Sequence, residues 1–380
     1  MDNLFPFGFP WPTALYLTLY VLTLTLHMLL MHYVLAGSAW VAWTSIIKAF
    51  RSDSTDPSNI VKVLQDWLPF ALGGAITAGV APLLFVQILY QREFYTANLL
   101  LFHRWMSILP VLIVAFYLLY LQKSSWLDRR SWLRPIVWLT IISCFVFVGY
   151  SWTENHLLSL QPQVVWTNFF ASRELFFARV EILPRLLIWI AGAFSTLCTF
   201  LAWQMHFQQW NKPNEASVAS GVISSEVKLI ARVGLLSLIV TFLATGIYGT
   251  MLGDDVLSIV RGPLAWPFVA AVGIGWGVQF AVWFHCSIRV RISQGLLLLL
   301  PLTVVTTTLS LNVVREVIRL ANVDIAALAT RHAEAASVGG FGVFVFFLIA
   351  NSLLVFWLLR SVARSVKSNR ESTPYKSTRV

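Results

Sequence analysis

Nine runs of roughly twenty or more residues pass along this 380-residue chain with almost no charge in them. They fall near 13–47, 67–91, 102–122, 133–153, 183–208, 229–252, 264–290, 295–318 and 340–363. A helix needs about 20 apolar residues to cross the hydrocarbon core of a bilayer. Runs this long suit helices, which satisfy every backbone hydrogen bond within the segment where water cannot. Composition agrees. Charged residues make up 12% of the chain, against about 25% in soluble domains, and the mean hydropathy is +0.73. Too little polar surface remains to cover a globule in water. The expected fold is an all-α polytopic membrane protein of about nine transmembrane helices. The first run is too long for an upright crossing, so it tilts or projects beyond the bilayer.

The basic residues set the orientation. With the N-terminus outside, eighteen of the 27 Lys and Arg side chains fall on inner segments, among them Lys48, Lys123, Arg129, Arg130, Arg289 and the tail residues Arg360 to Arg379. Positive residues favour the cytoplasmic side, so N-outside and C-inside is expected. The net charge of +10 serves this asymmetry, and no nucleic-acid partner is expected. Residues 1–365 read as one transmembrane domain. Within it, 154–182 is expected to lie as an amphipathic segment at the outer interface, and 319–339 as an outer surface helix. Residues 366–380 read as a disordered basic cytoplasmic tail. The start of the chain lacks a basic region and a small-residue cleavage site, so no removed signal peptide is expected. Cys144, Cys198 and Cys286 sit in apolar stretches outside any C-x-x-C-H sequence. They are expected to be small buried hydrophobes, with no covalent haem attachment.

Ionisable groups inside a span are costly and mark functional sites. In "LTLHMLLMHYVLAGSAW", His27 and His32 lie well inside the first run. A spacing of five turns the two rings about 140° apart, so they face different neighbours. One is expected to serve a cofactor, the other to bond a neighbouring helix. His27 is the first-choice axial ligand, His103 at the head of "FHRWMSILP" its partner, and His32 the second choice. Neutral imidazole is a good axial ligand for haem iron. Gly73, Gly74, Ala75, Ala78 and Gly79 give the second helix a smooth face for close approach, and Pro82 kinks it. In "LNVVREVIRLAN", Arg315 and Arg319 stand one turn apart and suit the clamping of carboxylates. They equally suit ion pairs with Glu154, Glu174 or Glu181. No phosphate-binding loop, dinucleotide fingerprint, nucleophile elbow or H-E-x-x-H sequence is present. No catalytic residue is assigned.

The nine spans, "FPFGFPWPTALYLTLYVLTLTLHMLLMHYVLAG", "GVAPLLFVQILYQREFYTANLLL" and the Arg-bearing "NVVREVIR" at the end of the eighth span together resemble subunit I of the cytochrome bd quinol oxidase superfamily. They look most like its shortened relatives that do not reduce oxygen. The resemblance implies a multi-pass protein of the bacterial inner membrane. It further implies a b-type haem, one or two in number, with His27 as a first-helix ligand and Arg315 and Arg319 on its propionates. Electrons would pass between quinone and a redox partner, alongside other respiratory or cytochrome subunits. Two features of the family are missing. Only a short link, "GDDVLSIVRGP", joins the sixth and seventh spans where the family carries its quinol-binding loop. The family's second His/Met haem site also has no counterpart, because the fifth span carries only His206 and the seventh has no Met. A cofactor-free scaffold subunit and a transporter are the alternative readings.

Overall fold

The computed structural model describes residues 11–51, 58–211, 220–290, 292–337 and 341–371. Among them every regular element is helical, and eight helices are long and apolar enough to cross a membrane. The longest is α1 (Trp11–Arg51), followed by α2 (Asn59–Leu89), α3 (Gln91–Leu100) and α4 (Phe102–Leu121). A short turn of helix, α5 (Ser125–Asp128), and a 3-10 turn lead into α6 (Arg134–Ser159) and α7 (Gln163–Ser172). The second half holds α8 (Ile182–Asn211), α9 (Ser220–Thr250), α10 (Asp254–Val260), α11 (Trp266–Arg289), α12 (Gln294–Leu320), α13 (Ile325–Ser337) and α14 (Phe341–Glu371). The spanning helices are α1, α2, α4, α6, α8, α9, α11 and α12. α14 matches the expected ninth run, but its apolar stretch, Gly342–Leu354, is shorter. Part of the expected tail, 366–371, continues this helix, and 372–380 lies outside the described residues.

Solubility in lipid is written in how the side chains are sorted. Leu109 and Tyr117 of α4, Leu236 and Phe242 of α9, Ile274 and Phe284 of α11, and Leu302 of α12 all face outward and exposed. Glu154, His156, Glu316, Arg319, His32 and Gln279 are buried. This inverts the arrangement of a water-soluble protein. The chain is a multi-pass helical membrane protein.

α1 is the axis of the bundle, packed against α2, α8, α6 and α12. Without a hydrophobic force between helices in lipid, polar bonds and close packing must hold them. Thr25 accepts from Asn312 of α12 at 3.0 Å, and Tyr33 bonds Gln204 of α8 at 3.2 Å. Gln279 of α11 accepts from Ser195 of α8 at 3.0 Å and donates to Thr307 of α12 at 3.2 Å. Between α11 and α12, a β-carbon at Gly275 would fall on the Thr307 hydroxyl, so only glycine permits the approach. Pro301 inside α12 has no N–H to give the carbonyl of Leu297. The Trp203 indole of α8 donates to that carbonyl at 2.6 Å instead.

Two expected boundaries move. Residues 154–159 belong to α6 and are buried in the bundle, so the surface segment begins only at α7. Glu154 is fully buried, bonded to Arg104 at 2.6 Å and to the backbone N–H of Phe177 at 2.7 Å. The charges that made 154–159 look superficial are thus neutralised inside. Likewise Arg319 closes α12, and the surface helix expected over 319–339 is α13, starting at Ile325.

Candidate functional site

The spanning helices α1, α6, α8, α9, α11 and α12, with α10, line a partly open cavity of about 310 Å³. It is long and runs with the helices. Thr196, beside His32, stands eleven residues along α8 from Arg185, about 16 Å at the helical rise. Call the end of the bundle where α1 starts the head end. Arg185, Arg315, His156 and Tyr248 line the cavity there, and His32, Thr196, Gln279 and Thr307 line its middle. The remaining wall is mostly apolar and aromatic, with Trp152, Trp189, Trp276, Ile188 and Val304, and also carries the polar residues Thr153, Ser195, Thr241, Thr245, Thr308 and Asn312. A volume in the range of small-molecule sites, an apolar lining and a few convergent polar groups are the marks of a ligand pocket.

The two cavity histidines can be assigned their protons from their partners. Thr196 donates its hydroxyl proton to the carbonyl of Gly192 at 3.3 Å. With the proton there, its oxygen accepts from Nδ1–H of His32, at 3.1 Å. Nε2 of His32 keeps a bare lone pair, and this atom is buried without a hydrogen-bond partner. At His156 the order is reversed. Arg319 can only donate, and its Nη2 lies 2.7 Å from Nδ1 of His156. Nδ1 is thus the acceptor, and the proton sits on Nε2, again buried without a partner. Both Nε2 atoms are buried, and both residues line the cavity.

Arg319 is buried behind this wall. Its guanidinium lies 3.5 Å from Glu316, over the ring of Tyr90 at 4.5 Å, and 5.8 Å from the centroid of Tyr20. Tyr90 donates to Glu316 at 2.9 Å. Arg185 is bonded to the Tyr248 hydroxyl at 2.6 Å. Among the described residues no carboxylate pairs with Arg185 or Arg315.

The expected site residues are dispersed. His27 does not line the cavity. Its Nδ1 donates to the carbonyl of Ala75 at 2.9 Å, and its ring lies so close to α2 that a β-carbon at Gly79 would approach it to 2.9 Å. The smooth face of α2 receives this histidine. His103 is exposed on α4, with its ring against Phe102, and is not brought to His27. Of the arginine pair, only Arg315 lines the cavity; Arg319 turns to His156 and Glu316. Glu154 pairs with Arg104 and not with either arginine, and Glu174 is exposed. The sequence reading missed Arg185 and His156. Both sit beside the charged stretch at 154–182, which hides the ends of α6 and α8. A helical extension of the hydrophobic pattern from Tyr150 through Leu157 and Leu158 was the available signal.

Among the described residues no three His, Cys, Asp or Glu side chains converge as a metal-ion site. Fold and site define a polytopic helical membrane protein with an interhelical cavity. Compared with protein-family models and with curated proteins, the chain matches none.

Proposed function

We propose that this chain is a membrane electron-transfer subunit that holds a b-type haem in its interhelical cavity, with His32 as the axial ligand. The supporting observation is the state of His32. A haem ligand must present a bare imidazole nitrogen while its other nitrogen is held by a partner. In this reading Nε2 of His32, buried without a hydrogen-bond partner on a residue that lines the cavity, is the bare nitrogen, and Nδ1–H is held by Thr196. The rest of the pocket fits the group. Trp152, Trp189 and Trp276 offer flat apolar surface, and Arg185 and Arg315 offer cations for propionates. His27 also keeps a bare Nε2, but at the α1–α2 contact and away from this pocket. His156 spends its lone pair on Arg319 and is not a second iron ligand.

When bound, the haem supplies one-electron chemistry. The chain's own residues orient it, exclude water and set the local field. The cavity arginines Arg185 and Arg315 favour the negative charge gained on reduction. Exchange of electrons with quinone, partner cytochrome subunits and a bacterial inner-membrane location rest on the resemblance to the cytochrome bd superfamily. The head end is assigned to the outer side by the charge asymmetry of the loops, with α14 as a ninth crossing.

Haem content decides the reading. Protein purified in mild detergent is expected to carry haem b extractable by acid acetone, close to one per chain. Well-folded, monodisperse protein that carries none, even after haem supplementation during expression, sinks the proposal and favours a cofactor-free scaffold.

A further inference from the structure

Two guanidinium groups on the wall of a membrane cavity need an anion. Arg185 and Arg315 line its head end, and among the described residues neither has a carboxylate partner. An unpaired charge in a low-dielectric interior is expensive. Beside them stands Nε2–H of His156, a residue 4% exposed, whose proton position is enforced by Arg319 from behind. A donor N–H with no acceptor, next to two cations, lacks an anionic oxygen. We infer that the head end of the cavity is a carboxylate-binding site formed by Arg185, Arg315 and Nε2–H of His156. Its ligand is an amphipathic carboxylate, because the adjoining wall of Trp152, Trp189 and Leu257 takes an apolar body.

Arg319 is the positioning residue. Without its donor on Nδ1, His156 is free to adopt the other tautomer, and its Nε2 would then repel an anion. Tyr248 holds Arg185 by a hydrogen bond and by its ring face, at 4.8 Å, which leaves the remaining guanidinium N–H groups for the ligand. This site does not require iron on His32. The carboxylate belongs either to a haem propionate or to a free organic acid, and the test separates these sources.

The test uses full-length protein in lipid nanodiscs, both as purified and as the haem-deficient His32→Ala variant. Decanoate and its neutral counterpart decanol are titrated, with binding followed by the fluorescence of the cavity tryptophans. In His32→Ala, decanoate is expected to bind saturably and at least tenfold more tightly than decanol. The Arg185→Gln/Arg315→Gln pair is expected to remove that preference while decanol binding persists. If decanoate binding is also lost in haem-loaded protein, the haem carboxylates occupy the site. If it persists there, the ligand is a free acid. Equal affinity for decanoate and decanol, or no saturable response to decanoate, overturns the site. The comparison of the two ligands needs no arginine variant, so it stands even if the arginine pair fails to fold. A haem-free wild-type protein would sink the haem reading and leave this test unchanged.

Discussion

Two imidazoles on one cavity wall carry their single proton on different nitrogens, and the partner behind each ring decides which. Thr196 takes Nδ1–H from His32, and Arg319 gives N–H to Nδ1 of His156. The presence of histidine in a span is legible in the sequence; the proton position is not, because it depends on a residue 163 or 164 positions away. The helical angle between His27 and His32 predicts that they face different helices, and they bond α2 and α8 respectively. Which of the two meets a cavity follows only from the packing. The Arg319–Glu316 pair also carries a stability prediction. Both side chains are almost fully buried, and removing one partner of a buried pair costs about 3–5 kcal/mol because the other charge is stranded. Arg319→Gln is expected to lower the unfolding midpoint in a detergent titration by a corresponding margin. Adding Glu316→Gln should recover much of the loss, since the two sites are coupled. Equal midpoints for wild type and Arg319→Gln would show that the pair carries no such energy.

Among the elements, α13 is the one whose attachment depends on pH. His332 bonds Thr13 of α1 through Nδ1 at 2.8 Å and faces the carbonyls of Ile88 and Leu89 at the end of α2. Arg331 on the same helix reaches Glu93 of α3 at 3.4 Å. Burial holds His332 below the ordinary histidine pKa of 6.5, and the Arg331 charge adds to this against the carbonyl bonds and Glu93. A depressed folded-state pKa means that the unfolded state binds more protons below pH 6.5. The contribution is therefore complete above that value and is lost as pH falls through 6.5 towards the folded pKa. Amide exchange over 325–337 is expected to accelerate between pH 7.5 and 5.5 after correction for intrinsic rates, and His332→Gln should flatten the change. Corrected rates that do not vary with pH would contradict the docking role of His332. At this scale the spanning helices themselves were legible, because twenty apolar residues in lipid leave the backbone no other choice. The faces of α1 and α6 were not. Both are apolar around most of their circumference, so no periodicity separates the lipid side from the protein side. The ends of α6 and α12 were misplaced for a related reason: Glu154 and Arg319 are charges paired inside the bundle, and hydropathy reads every charge as solvated.

For the molecule as a whole, the exposed apolar girdle and the buried ionic interior define a membrane-embedded bundle around α1. The loop charges predict an N-outside orientation. Alkaline phosphatase fused after Asp255 is expected to be active, placing the α9–α11 link outside, and a fusion after Arg130 is expected to be inactive. The reverse pattern would invert the bundle and put the arginine end of the cavity in the cytoplasm. The resemblance to the cytochrome bd superfamily implies a first-helix haem ligand at His27, and the proposed site places it at His32, which lines the cavity while His27 does not. The most direct measurement is the dithionite-reduced minus oxidised spectrum of purified wild type, His27→Ala, His103→Ala and His32→Ala, each checked for a monodisperse elution profile. Wild type, His27→Ala and His103→Ala are expected to show a b-type α band, and His32→Ala to lack it. A band that survives in His32→Ala and disappears in His27→Ala would contradict the assignment of the cavity histidine as the ligand.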